Sequence, residues 1–211
     1  MEPVRKAQQS ARTKRAVIDA AVALFSERGY RATSLKAIGE QAGISHGVIP
    51  FHFGSKEGLL LAVVETCFEA FSTHVIGAAS DRERDFGVGD LEAMMTAQRR
   101  FADERPQIGR LFQVLMFEAI GPSPELRPHF REFQGRLHAL GCAWVREGQA
   151  RGVLREDLDV EAAVATLESF LTGLRTRSLL IGDEGVSRQR IHEQMLSLLR
   201  RGVTRDEQGE S

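Results

Sequence analysis

The residues best suited to meeting a partner lie in GISHGVIPFHFGSK, Gly43 to Lys56. Hydroxyl, imidazole and ammonium donors suit phosphate oxygens and base edges, and the apolar residues among them suit a helix that also needs a core-facing side. Gly43, Ile44 and Ser45 predict a tight turn, with glycine ending one helix and Ser45 capping the next, which runs to about Gly54. That is a helix-turn-helix, whose second helix can place its N-terminal residues in the DNA major groove. Ala42 is small where the two helices must approach, and Ile44 can drop between them. Pro50 is the obstacle. A proline inside a helix loses a hydrogen bond and clashes with the carbonyl four residues back, at a cost of about 3 kcal/mol. Here that carbonyl belongs to His46, near the first turn of a short helix. A local bend held by Ile49, Phe51 and Phe53 is therefore expected, with Pro50 changing which base pairs are read rather than abolishing reading.

Positioning this stretch requires helices before and after it. From Ala11 to Arg28, Val17, Ala21, Leu24 and Phe25 recur at helical spacing, and Gly29 reads as a left-handed cap that ends the helix. Thr33 or Ser34 caps a second helix that presents Leu35 and Ile38 on one face and stops at Gly43. Ser55 caps a fourth, longer helix with the apolar stripe Leu59, Leu60, Val63 and Val64. The stretch GAASDRERDFGVGD, from Gly77, reads as a connection or a frayed helix end. Helical segments resume at roughly 90–102, 105–120, 125–150, 160–181 and 187–202, and no alternating β-branched run predicts a strand. The expected fold class is all-α: a three-helix DNA-binding domain over residues 1–55, then a helical ligand-binding and dimerisation domain over 56–211.

Composition agrees with such a protein. The chain has 211 residues, 42% hydrophobic and 27% charged, ordinary for a globular protein with a proper core. Net charge is −1, but residues 1–60 hold nine Lys/Arg against five Asp/Glu, which leaves residues 61–211 at −5. A basic head on an acidic body points to a polyanionic partner for the head. Cys67 and Cys142 are too few and too far apart for a disulfide framework and fit a reducing cytoplasm. A polar N-terminus and the lack of a run of about 18 uncharged apolar residues predict neither a signal peptide nor a membrane span.

Residues 11 to 64 also resemble the N-terminal domain of TetR-family transcriptional regulators, through DAAVALFSERGYRATS, IGEQAGIS and HFGSKEGLL in the family's order and spacing. The resemblance implies an all-helical homodimer that binds a double-stranded DNA operator, with a C-terminal domain that takes a small-molecule effector. It favours a repressor released from a palindromic operator over an activator. It makes Ser45 to Phe53 the recognition helix, and Ser45, His46, Gly47, Val48, Pro50, Phe51 and His52 the DNA-facing set. Thr33 resembles the family's phosphate-contacting cap and Lys56 its phosphate-contacting lysine, whereas Phe53 fits the core better than a contact. The departures are His46 for Lys or Arg, Val48 for a small residue, and Pro50 for a tyrosine that commonly contacts phosphate. His46 either donates to DNA or is simply solvated. Gly47 permits close approach of the backbone or is only a tolerant surface position.

In the body, aromatic and thioether side chains at helical spacing are mostly core, with Phe112, Met116, Phe117, Trp144 and Phe170 as candidate walls of an effector pocket. Arg175 and Arg177 could offer a ligand counter-charge or face solvent. The last two helices, VEAAVATLESFLTGLRTRSLLIG and RQRIHEQMLSLLRRG, are assigned to the dimer interface. Catalytic signals are weak. His138 and Cys142 stand four apart with no second pair at ligand spacing, and HEQM lacks the second histidine of a zinc-protease motif. No enzyme activity, metal or cofactor is expected. The competing reading is a helical enzyme or small-molecule carrier whose helix-turn-helix is only scaffold.

Overall fold

Apolar residues at every third or fourth position, punctuated by glycine, proline and capping hydroxyls, fold into nine α-helices, with no β-strand among the described residues. The computed structural model describes residues 2–45, 47–76 and 88–203. The helices are α1 (Glu2–Ala32), α2 (Leu35–Ala42), α3 (Val48–Phe53), α4 (Lys56–Phe71), α5 (Val88–Glu104), α6 (Pro106–Ile120), α7 (Arg127–Ala150), α8 (Val160–Ile181) and α9 (Arg188–Val203). A π-helical turn, Ser72–Ile76, follows α4. Most of the connection expected from Gly77 lies outside the described residues. The chain divides into two compact units, residues 1–70 with 105–131 and residues 71–104 with 132–211.

The first unit closes around Val17, Leu24 and Phe25 of α1, Ile38 of α2, Ile49 of α3 and Leu59, Leu60 and Val63 of α4. Leu111, Leu115 and Ala119 of α6 complete that core. By length and apolarity, Lys56–Val75 could cross a membrane, but Leu59, Leu60, Val63 and Cys67 are buried in this core. The α1 helix begins at Glu2, so the basic N-terminal stretch of the head is itself helical, with Arg5, Lys6, Arg12, Lys14 and Arg15 exposed.

Gly29 does not end α1 as a left-handed cap. It takes φ 81° and ψ 169°, kinking the helix, which then resumes to Ala32. The kink frees the Tyr30 and Arg31 N–H groups, which donate to the Glu118 carboxylate of α6 at 2.6 and 3.2 Å. A Cβ at Gly29 would stand 2.5 Å from Glu118 Oε1. Arg110 Nε adds a bond to the Ser26 carbonyl at 3.0 Å, so α6 is tied to α1 at two points.

In the second unit Met95 and Phe101 of α5, Cys142 of α7, Val164 of α8 and His192 of α9 are buried. Arg188 pairs with Asp103 at 2.6 Å, and Arg200 pairs with Glu92, joining α9 to α5. Gly141 lets α7 approach α8 closely, since a Cβ there would lie 2.8 Å from Val164 Cγ1. Asp159 caps α8 by accepting from the Ala162 N–H at 3.0 Å. Arg177 closes its other end by donating to the Gly182 and Glu184 carbonyls, so it is a structural residue rather than a ligand counter-charge.

Candidate nucleic-acid interface

The helix-turn-helix is built from the cap outward. Ser34 is extended at φ −102° and accepts from the Ala37 N–H, so it is the cap of α2. Thr33 is not: it is buried, and its hydroxyl donates to the Gly29 carbonyl at 2.7 Å, fastening the α1–α2 corner. Gly43 is left-handed (φ 67°, ψ 29°), and its N–H reaches the Glu40 carbonyl while Ile44 N–H reaches that of Gly39 at 2.9 Å. These bonds satisfy the end of α2 and turn the chain within three residues. Ala42 and Ile44 pack against the core as expected.

The α3 helix starts later than expected. Ser45 is not a side-chain cap; its carbonyl accepts from Val48 N–H at 3.0 Å, and Gly47 holds the cap position without a side-chain bond. Consequently Pro50 is the third residue of α3, inside the first turn. The first four N–H groups of a helix have no intrahelical acceptor, so proline there forfeits no helical bond. Its carbonyl still accepts from Gly54 N–H at 2.8 Å, closing α3.

One face of α3 is anchored and the other is free. Ile49 is fully buried and Phe53 packs against the core, whereas Ser45, Gly47 and Pro50 are exposed and Val48 is half-buried. Phe51 is 85% exposed, a large aromatic side chain held out into solvent. His52 is half-buried, its ring edge-on to that of Phe51 with centroids 5.2 Å apart. His46 lies outside the described residues. Ser55 caps α4 through Gly58 N–H at 3.0 Å. Lys56 sits at the start of α4 with its ammonium 4.4 Å from the Tyr30 ring centroid and 3.4 Å from the Arg31 carbonyl. Burial lowers its pKa, with Glu118 acting in the opposite direction.

The candidate effector residues fall in both units. Phe112 packs on the first unit's core, Met116 is half-buried and Phe117 is half-exposed. Trp144 and Phe170 are half-buried in the second unit. Arg175 is half-buried on α8, desolvation lowers its pKa, and its guanidinium has no partner among the described contacts. Sequence reasoning did not single out Glu118, whose signal is only that it faces the glycine kink from a helix 87 and 88 residues away.

A cored three-helix head with one exposed, polar-and-aromatic helix face defines a helix-turn-helix DNA-binding protein. Comparison with known proteins places it further. Residues 17–63 match the model of the bacterial regulatory proteins of the tetR family, and residues 89–204 match the C-terminal part of the BetI-type transcriptional repressors. The chain is 30% identical over 157 residues to the HTH-type transcriptional repressor KstR2 of Rhodococcus jostii, covering 70% of each chain. It is 28% identical over 184 residues to the probable HTH-type transcriptional regulator ArpR of Pseudomonas putida, covering 85% of this chain and 87% of that one. The transcriptional regulator FadR of Bacillus subtilis, solved in complex with stearoyl-CoA, shares its fold with a TM-score of 0.75 at 22% identity, over 89% of this chain and 97% of FadR. The chain belongs to the TetR family, and is a DNA-binding transcriptional repressor.

Proposed function

We propose that this repressor acts as a homodimer that lays two α3 helices into successive major grooves of a palindromic operator in the cytoplasm. The observation that carries the reading is the exposed face of α3, anchored from behind by Ile49. Ser45, Gly47, Val48, Pro50 and Phe51 form the base-facing set, with His46 and His52 beside them. Phosphate contacts come from Lys56, from the exposed arginines and lysines of α1, and from Ser34 at the start of α2. Thr33 serves this surface by holding the corner beneath it, because its hydroxyl is already donated inward. Residues 1–55 are the DNA-binding domain and 56–211 the ligand-binding and dimerisation domain.

Dimerisation is assigned to α8 and α9. Leu179, Leu180, Ile181 and Leu198 are exposed on them in the single chain, and Ala162, Ala165 and Gly173 offer small exposed positions. The effector is read as a small molecule with an apolar body, with Trp144 and Phe170 as candidate contacts in the second unit and Phe112, Met116 and Phe117 as candidate contacts in the first. The half-buried guanidinium of Arg175 suits an acidic group on that effector. Effector that prefers the conformation unable to bind DNA lowers operator affinity by linkage.

The test is selection of genomic fragments by the purified protein, followed by affinity across a salt series. Enrichment of a palindrome, with affinity falling steeply as salt rises, is the expected result. Absence of enrichment at low salt would overturn the reading.

A further inference from the structure

His138 and Cys142 lie one turn apart on α7, and the sequence offers no nearby partner for them. The structure supplies one from α8. Gly141 sits against Val164, and this close approach brings Glu161 and Glu168, on the same face of α8 as Val164, across to the pair. Glu161 Oε2 lies 2.8 Å from His138 Nε2 and 3.2 Å from Cys142 Sγ. On the far side of the imidazole, Nδ1 stands 3.2 Å from Glu168 Oε2, and Arg146 holds the other oxygen of Glu161.

We propose that His138 Nε2, Cys142 Sγ and Glu161 Oε2 form a binding site for a zinc-type divalent ion between α7 and α8. The three donor atoms lie within 4.8 Å of one another. Donors around a tetrahedral zinc stand roughly 3.3–3.7 Å apart, so an ion is seated by an outward shift of about half an ångström at Glu161 together with side-chain rotation that brings His138 Nε2 and Cys142 Sγ to the same spacing. Glu161 is exposed, which gives it freedom to move and leaves a fourth position for water. Imidazole, thiolate and a single carboxylate favour zinc or cobalt over magnesium or calcium, which require oxygen donors. The outer contacts also fit. A metal-bound histidine typically donates its other N–H to a carboxylate, the position Glu168 holds, and Arg146 fixes the ligating carboxylate. On binding, Cys142 gives up its thiol proton and His138 its Nε2 proton to solvent, so the ion replaces the hydrogen bonds that now join these groups.

The full chain, reduced and treated with a chelator, is titrated with Co²⁺. A thiolate-to-cobalt charge-transfer absorption, saturating at about one ion per chain and displaced by Zn²⁺, is expected from this donor set. Cys142→Ser abolishes the band, whereas Cys67→Ser keeps it. Glu161→Gln, a near-isosteric change at an exposed side chain, weakens binding at least about tenfold, and Glu168→Gln weakens it by about 10–100-fold. A missing band at saturating Co²⁺, a band that survives Cys142→Ser, or unchanged affinity in Glu161→Gln would overturn the site. With circular dichroism as the check on folding, the near-isosteric Glu161 variant decides the outcome if the cysteine variant misfolds.

Discussion

Pro50 stands where a proline is least costly in a helix, in the first turn with its carbonyl still bonded to Gly54 N–H. Pro50→Ala is therefore expected to leave stability within about 0.5 kcal/mol of the parent in urea denaturation. The same substitution alters operator preference, because it changes the surface beside Phe51. Phe51→Ala removes a side chain that is 85% exposed and contributes almost nothing to the core. It is expected to preserve the melting temperature while costing about 1–3 kcal/mol of discrimination at one base position. Equal affinity of parent and variant for every single-base operator change would show that Phe51 reads nothing. Gly29 is the reverse case, a residue needed for the fold alone. Its φ of 81° with ψ of 169° is a region essentially restricted to glycine. Gly29→Ala also drives a methyl group against the Glu118 carboxylate. A loss of about 2–3 kcal/mol in denaturant unfolding is expected.

At the scale of elements, α5 and α9 meet through a buried histidine. His192 is 6% exposed, bonds to the Met95 backbone, and has no partner for Nε2 among the described residues. Desolvation lowers its pKa, with Arg99 adding to the effect and the Met95 bond, Asp103 and Glu193 opposing it. The folded state thus binds this proton less readily than the unfolded chain. Its contribution is complete above the ordinary histidine pKa of about 6.5 and is lost as pH falls through that value towards the folded pKa. The thermal midpoint should drop as pH is lowered from about 7.5 to about 5.5, and drop less in His192→Gln. An identical drop in both proteins would remove His192 from the account. Cys67, on α4, shows the same physics with opposite sign: burial pushes its thiol up to about 12, which keeps it protonated and unreactive at neutral pH.

For the whole molecule, the exposed apolar side chains of α8 and α9 set the expected assembly. Leu180 is 79% exposed and Leu198 54% exposed in the single chain. Leu180→Glu with Leu198→Glu should convert a dimer into a folded monomer, read by analytical ultracentrifugation with circular dichroism as control. Binding to a full palindrome should then fall to the level of a single half-site. A double variant that stays dimeric would move the interface elsewhere.

Helix periodicity, caps and turn residues made the all-α class, the helix-turn-helix and the helices of the body legible from the sequence, because each rests on residues within about four positions of one another. Ser34, Gly43 and Ser55 act where local chemistry put them, whereas Thr33 and Ser45 do not. Which of two neighbouring hydroxyls caps a helix depends on which one the corner buries. The start of α3 likewise waited on the turn, and with it the reason Pro50 is tolerated. Contacts distant in sequence were decided by tertiary structure alone. Residues 105–131 pack with the first four helices, Glu118 takes the N–H groups freed at Gly29, and Gly141 draws Glu161 and Glu168 over His138 and Cys142. No local pattern encodes such pairings, since they arise only when packed helices choose which faces meet.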